Sequence, residues 1–109
     1  MNIKIKSYEN YQVVQLFGEV DLSNSRSIKQ DIIKQIKAGH HVIVDFTYLQ
    51  YIDSSGMASL VEAFNEARES GREFHIAGAN GSPLQVLQLT RLNTVFSLVE
   101  SLEALGIHD

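Results

Sequence analysis

His41-Val42-Ile43-Val44-Asp45-Phe46, then Thr47-Tyr48-Leu49-Gln50-Tyr51-Ile52, then Asp53-Ser54-Ser55-Gly56-Met57: the reading of this stretch decides the fold. In the first six residues Val42, Ile43 and Val44 are continuously apolar, the pattern of a central strand covered on both faces. After Gly56 the period changes. Met57, Leu60, Val61, Phe64 and Ala67 fall at i, i+3, i+4, i+7 and i+10, one face of a helix. Between strand and helix stands a turn of aspartate, two serines and glycine, residue types that cap helix N-termini.

Outward from this centre the same alternation continues. Upstream, Ile3 and Ile5 alternate before the polar Ser7-Tyr8-Glu9-Asn10, and Tyr11 to Phe17 forms a second run closed by Gly18, which predicts a hairpin of two strands. Ser23, Asn24 and Ser25 offer cap side chains, and Ile28, Ile32, Ile33 and Ile36 recur at helical spacing until Gly39. A first helix is expected from roughly Ser25 to Lys37. Downstream, Gly71 stops the second helix and Phe74-His75-Ile76-Ala77 reads as a strand. Gly78-Ala79-Asn80-Gly81 is a turn, after which Ser82 is expected to cap a third helix with Pro83 at its first position, running to about Leu92. Val95 to Val99 reads as the last strand, and Leu102 and Leu105 mark a short terminal helix.

The order β-β-α-β-α-β-α-β-α predicts an α/β fold: a mixed, mostly parallel five-stranded sheet with about four helices and one antiparallel pair at its start. His41 to Phe46 is the expected middle strand. In open sheets of this kind functional groups collect at the carboxyl ends of strands. Two such places are rich in polar groups, Gly18 to Ser25 and Asp53 to Gly56.

Composition narrows the function classes. At 109 residues one domain, spanning 1–109, is expected, and 44% hydrophobic with 20% charged residues is ordinary for a globular chain. The absence of cysteine removes disulfides, thiolate metal sites and thiol catalysis, and fits a reducing compartment. No apolar stretch is long enough for a signal peptide or a membrane span, so a cytoplasmic protein is expected. A net charge of −4 with nine scattered basic residues gives no footprint for nucleic acid or an anionic membrane. The four histidines, at positions 40, 41, 75 and 108, show no spacing that sets two on one face beside a carboxylate, so no metal site is expected. No glycine-rich phosphate loop is present, and no histidine is placed to activate a serine nucleophile. Neither enzyme activity nor a cofactor is expected.

The chain resembles the STAS-domain family of anti-sigma factor antagonists over nearly its whole length. The resemblance is carried by Gly18-Glu19-Val20-Asp21, by Val42-Ile43-Val44-Asp45, by Ile52-Asp53-Ser54-Ser55-Gly56-Met57-Ala58-Ser59-Leu60, and by Leu89-Thr90-Arg91-Leu92-Asn93-Thr94-Val95-Phe96. It implies that Ser55, the second hydroxyl residue of the turn, is a phosphate acceptor. It further implies an anti-sigma factor that is itself the serine kinase, and a metal-dependent serine phosphatase that reverses the modification. Only the unphosphorylated form would engage the anti-sigma factor and so free the sigma factor. Asp21, Asp53, Ser54, Gly56, Ser59 and Glu62 are then the candidate partner-binding residues. A module of the same fold in a secretion or biofilm pathway, or one associated with a transporter, is the alternative.

Residue chemistry bears on the same turn. A helix N-terminus offers unpaired N–H groups and a favourable dipole to a phosphate, and the added charge of about −1.5 to −2 would repel an acidic or close-fitting partner. Serine and aspartate before an apolar helix are also ordinary caps, and Gly-x-x-Asp by itself says only strand end and Asx turn. Spacing alone does not separate the adjacent hydroxyls of Ser54 and Ser55. Met57, Leu60, Val61 and Phe64 read as core, which leaves Ser59, Glu62, Ala63 and Glu66 as the expected outward positions of the second helix. A monomer is the default.

Overall fold

The structure, a computed structural model, describes residues 2–108; the first and last positions of the expected 1–109 domain lie outside the described residues. The elements are β1 (Ile3–Ser7), β2 (Tyr11–Val20), α1 (Ser25–Lys37), β3 (His41–Ile52), α2 (Ser54–Glu69), β4 (Phe74–Ala77), α3 (Gly81–Leu89) and β5 (Ser97–Val99). Two 3₁₀ turns follow α3 and β5, at Leu92–Thr94 and Leu102–Leu105. The sheet order is β1-β2-β3-β4-β5, with β1 antiparallel to β2 and every later pair parallel. The mostly parallel five-stranded sheet and the central place of β3 are as the sequence predicts; the fourth helix is a 3₁₀ turn.

Alternation along the strands divides the interior into two cores. Val14, Leu16, Val42, Val44, Phe46, Phe74 and Ile76 face one way and pack with Ile28, Ile32 and Ile36 of α1, Met57, Leu60, Ala63 and Ala67 of α2, and Leu87 of α3. All three helices therefore share one face. On the other face Val13, Ile43 and Ala77 meet Ile107, with Tyr11, Val99, Leu102 and Leu105 around them. The C-terminal segment lies across this second face.

The bounds of β3, α3 and β5 differ from the sequence reading, each for a local reason. β3 extends to Ile52 because its second half pairs with the end of β2, Phe17 opposite Tyr48 and Val20 opposite Ile52, across two register irregularities. Those irregularities break the period-two pattern that marks a strand. α3 starts directly after Asn80, whose side chain makes no capping bond, so Pro83 is its third residue; that position lies in the first turn, where a missing N–H costs nothing. The same helix stops at Leu89, where the Thr90 hydroxyl donates to the Val86 carbonyl at 2.6 Å and Arg91 turns left-handed at φ 59°. β5 is accordingly only Ser97–Val99, and Phe96 is buried against Phe74, ring centroids 5.9 Å apart.

Candidate functional site

β2 and β3 run together past the end of β4, and their last residues set the site. The Asp53 N–H donates to the Val20 carbonyl at 3.1 Å, fixing the turn after β3 against the end of β2. Asp53 then caps α2: its Oδ1 accepts the Gly56 N–H at 3.0 Å and the Ser55 hydroxyl at 2.6 Å. The Ser55 and Leu22 N–H groups lie close enough to this carboxylate to favour its charged form. These donors, the Ser55 hydroxyl foremost, hold the Asp53 carboxyl below the usual range. One carboxylate thus joins the serine turn to the loop between β2 and α1.

That loop is an Asx turn. Asp21 Oδ1 accepts the Ser23 N–H at 2.9 Å and the Ser23 hydroxyl at 2.5 Å, while Asn24 Oδ1 accepts the Asp21 N–H. The Asn24 amide in turn donates to the Glu19 carbonyl at 3.0 Å. The result presents Leu22 with 80% of its surface exposed beside the serine turn.

The two serines differ. Ser54 is exposed, and its hydroxyl has no hydrogen-bond partner among the described residues; Ser55 is half-buried with its hydroxyl committed to Asp53. Gly56 is required by close packing: a Cβ there would stand 2.6 Å from Ile52 Cγ1 and 2.8 Å from Val20 Cγ1. Beside the turn, between α2 and α3, lies a mainly apolar cleft of about 550 Å3 that includes Tyr51, Met57, Ala58, Val61, Val86 and Leu92.

Of the expected partner-facing residues, Asp21, Asp53, Ser54 and Gly56 come together at this end of the sheet. Ser59 does not belong to an outward surface: it is buried, as is Ala63. Gly56, Ser59, Ala63 and Ala67 form a second buried stripe of small residues, so α2 is covered on more than its apolar stripe. Glu62 is exposed and paired with Lys29 of α1 at 2.8 Å, and Glu66 is half-buried.

At the opposite end of the sheet stands a cluster that histidine spacing missed. His75 contacts Glu73 Oε1 through Nε2 at 2.8 Å and Ser97 Oγ through Nδ1 at 2.7 Å. The Tyr11 hydroxyl donates to the same Glu73 oxygen, and His41 Nδ1 accepts the Glu73 N–H. Two histidines therefore meet one residue, His75 at the Glu73 carboxylate and His41 at its backbone N–H, because parallel pairing sets β3 beside β4 with Ile43 opposite His75. The bonds from His75 and Tyr11 pull the Glu73 carboxyl down, while burial and Glu73 push the Tyr11 hydroxyl up. Among the described residues no three His, Asp or Glu side chains converge as a metal ion requires. Among the described residues no helix is long and apolar enough to cross a membrane.

Comparison with known proteins agrees with this arrangement. An anti-sigma-B factor antagonist of Listeria monocytogenes is 26% identical over 102 residues, covering 90% of each chain. A putative anti-sigma factor antagonist from Thermotoga maritima superposes with a TM-score of 0.89 at 17% identity, over 95% of this chain and 91% of its own. SpoIIAA in its unphosphorylated form gives a TM-score of 0.81 at 22% identity over 98% and 99% of the two chains; its phosphorylated form, from Bacillus, gives 0.74 at 21% identity over 95% and 96%. The STAS domain model matches residues 2–105. With a match of that extent, on this sheet and this serine turn, the chain belongs to the STAS-domain family.

Proposed function

We propose that this protein is an anti-sigma factor antagonist, without catalytic activity of its own, whose grip on an anti-sigma factor is released by phosphorylation of the Ser54–Ser55 turn. The observation that carries the proposal is the serine pair on the first turn of α2, Ser54 exposed and Ser55 half-buried, at the edge of an apolar cleft and beside the loop bearing Leu22. The names of the similar proteins support the role, and the existence of SpoIIAA in a phosphorylated and an unphosphorylated form supports the switch.

The resemblance points to Ser55 as acceptor, whereas exposure favours Ser54. A phosphate on Ser55 removes the proton that Asp53 Oδ1 now accepts and sets two anions against each other, which loosens the cap. On Ser54 it projects from the first turn, keeps the Asp53–Ser55 bond and lies at the positive end of the helix dipole. Either way about −1.5 to −2 charges arrive at the edge of the cleft, and a partner cannot close over them without burying an unpaired anion. The anti-sigma factor is proposed to dock on Leu22, the serine turn and the cleft, and to be the kinase. A metal-dependent serine phosphatase restores the binding form, all in the cytoplasm.

Incubation with ATP and the cognate anti-sigma kinase, followed by intact-mass and fragment-ion analysis of wild type, Ser54→Ala and Ser55→Ala, tests this. One phosphate, absent from a single variant, is expected and names the acceptor. If neither serine takes phosphate the switch is wrong, and a constitutive interaction module serving secretion, biofilm or transport replaces it.

A further inference from the structure

Sequence spacing places no histidine to activate a serine, but the sheet does. Parallel pairing puts His75 of β4 opposite Ser97 of β5, 22 positions away, and the Ser97 hydroxyl lies 2.7 Å from His75 Nδ1. Glu73 stands two residues before His75, on the same face of the sheet, and its Oε1 is 2.8 Å from His75 Nε2. Serine, imidazole and carboxylate thus form one chain of hydrogen bonds, away from the serine turn.

The direction of that chain follows from its last member. Bonds from His75 and the Tyr11 hydroxyl hold the Glu73 carboxyl below the usual range, and an ionised carboxylate only accepts. Nε2 of the neutral ring therefore carries the hydrogen and Nδ1 the lone pair, so Nδ1 accepts from Ser97. Glu73 is itself fixed twice: Tyr11 donates to its side chain at 2.9 Å, and His41 Nδ1 accepts its backbone N–H at 2.9 Å. Ser97 is exposed, whereas the His75 side chain is only 15% exposed. A solvent-facing hydroxyl is joined to a sheltered base that a third group holds in one tautomer, the arrangement that activates serine.

A donor for developing negative charge adjoins the serine. The Gly78 N–H donates to the Val99 carbonyl at 3.1 Å. In this register the N–H groups of Ser97 and Val99 point at β4, and that of Leu98 points to the outer edge, where no further strand pairs with it among the described residues. A backbone N–H next to a serine nucleophile suits a tetrahedral oxyanion. No lysine or arginine pairs with Glu73 among the described residues, so nothing in the cluster gathers a polyphosphate and an uncharged donor fits better. We propose that Ser97 is a second modification site, acylated by uncharged activated carboxylic esters with His75 as general base and Glu73 as positioning residue. Ser97 Oγ attacks the carbonyl carbon as its proton passes to His75 Nδ1, and the oxyanion meets the Leu98 N–H. Collapse re-forms the carbonyl and breaks the bond to the leaving group, which departs with the electron pair and takes the proton from the imidazolium. One acyl group is consumed per chain, so the domain accepts the group and does not turn it over.

Brief treatment of the full chain with limiting p-nitrophenyl acetate, followed by fragment-ion mass analysis, tests the proposal. Ser97 should carry at least about ten times the acetyl occupancy of Ser54, which is exposed but has no base beside it. Ser97→Ala should abolish that label. His75→Asn is the sharper variant, because its amide oxygen can stand where Nδ1 stood and keep the bond to Ser97 but cannot take the proton. Acetylation of Ser97 should then slow at least about tenfold at unchanged melting temperature, and Glu73→Gln should slow it at least about threefold. The comparison of Ser97 with Ser54 in the wild type needs no variant and decides the matter if a variant folds poorly. Equal occupancy of the two serines, or undiminished labelling in a folded His75→Asn, overturns the site.

Discussion

Position 56 shows how tightly one residue is specified. Gly56 is buried where the end of β2 meets the start of α2, and the atoms a methyl group would strike belong to the core residues Ile52 and Val20. Gly56→Ala should therefore destabilise the protein by about 1–3 kcal/mol, the usual cost of overpacking, even though alanine is the better helix former. Urea unfolding checks it; a stabilised variant would mean that Ile52 and Val20 give way freely. Three residues earlier, the Asp53 carboxylate is held below its usual range by the Ser55 hydroxyl and the Gly56 N–H. A depressed folded pKa contributes stability that is complete above the unfolded value, near pH 4, and is lost as pH falls through the folded value. Asp53→Asn should lower the melting temperature at neutral pH and flatten its fall on acidification below about pH 4. An unchanged acid limb would show that the cap does not depend on the charge.

At the scale of elements, α2 is the piece whose sequence misleads most. The apolar stripe at Met57, Leu60 and Phe64 was legible because its spacing is helical, whereas Ser59 and Ala63 looked outward only because small residues carry no hydrophobic signal. They are buried because α2 is covered on a second side, by a stripe whose smallness permits close packing. The long β3 was half legible: its first six residues are apolar on both faces, but bulges shift the period before Tyr48 and Tyr51. The serine turn was legible as a cap and, through resemblance, as a switch. Its closeness to Leu22 was not, because Leu22 and Asp53 stand thirty-one positions apart. Leu22 is 80% exposed, so Leu22→Ala should change stability by less than about 0.5 kcal/mol. The same substitution should weaken anti-sigma factor binding at least about fivefold if the loop is part of the docking surface. Calorimetric binding with the purified partner measures it, and an unchanged Kd would move the interface off this loop.

For the whole molecule, the sequential strand order puts three helices on one face and leaves the other to a single strap, residues 102–107. The helical face buries a large core that reaches from β2 to β5. The opposite core holds four buried residues, and only Ile107 among them belongs to the strap, with Leu102 and Leu105 partly buried beside it. Segments with few buried contacts open at lower free energy than the global unfolding of the domain. The strap should therefore detach while β2 and β3, which contribute to both cores, stay folded. Ile107→Ala removes its main anchor: hydrogen exchange at the strap amides of Leu105 and Ile107 should rise at least about tenfold, while the amides of Val14 and Val44 change by less than about twofold. Equal acceleration at all four positions would show that strap and sheet unfold as one unit. The independence of the two faces is a consequence of alternation along β2, β3 and β4, where each inward residue is followed by one that faces the other core.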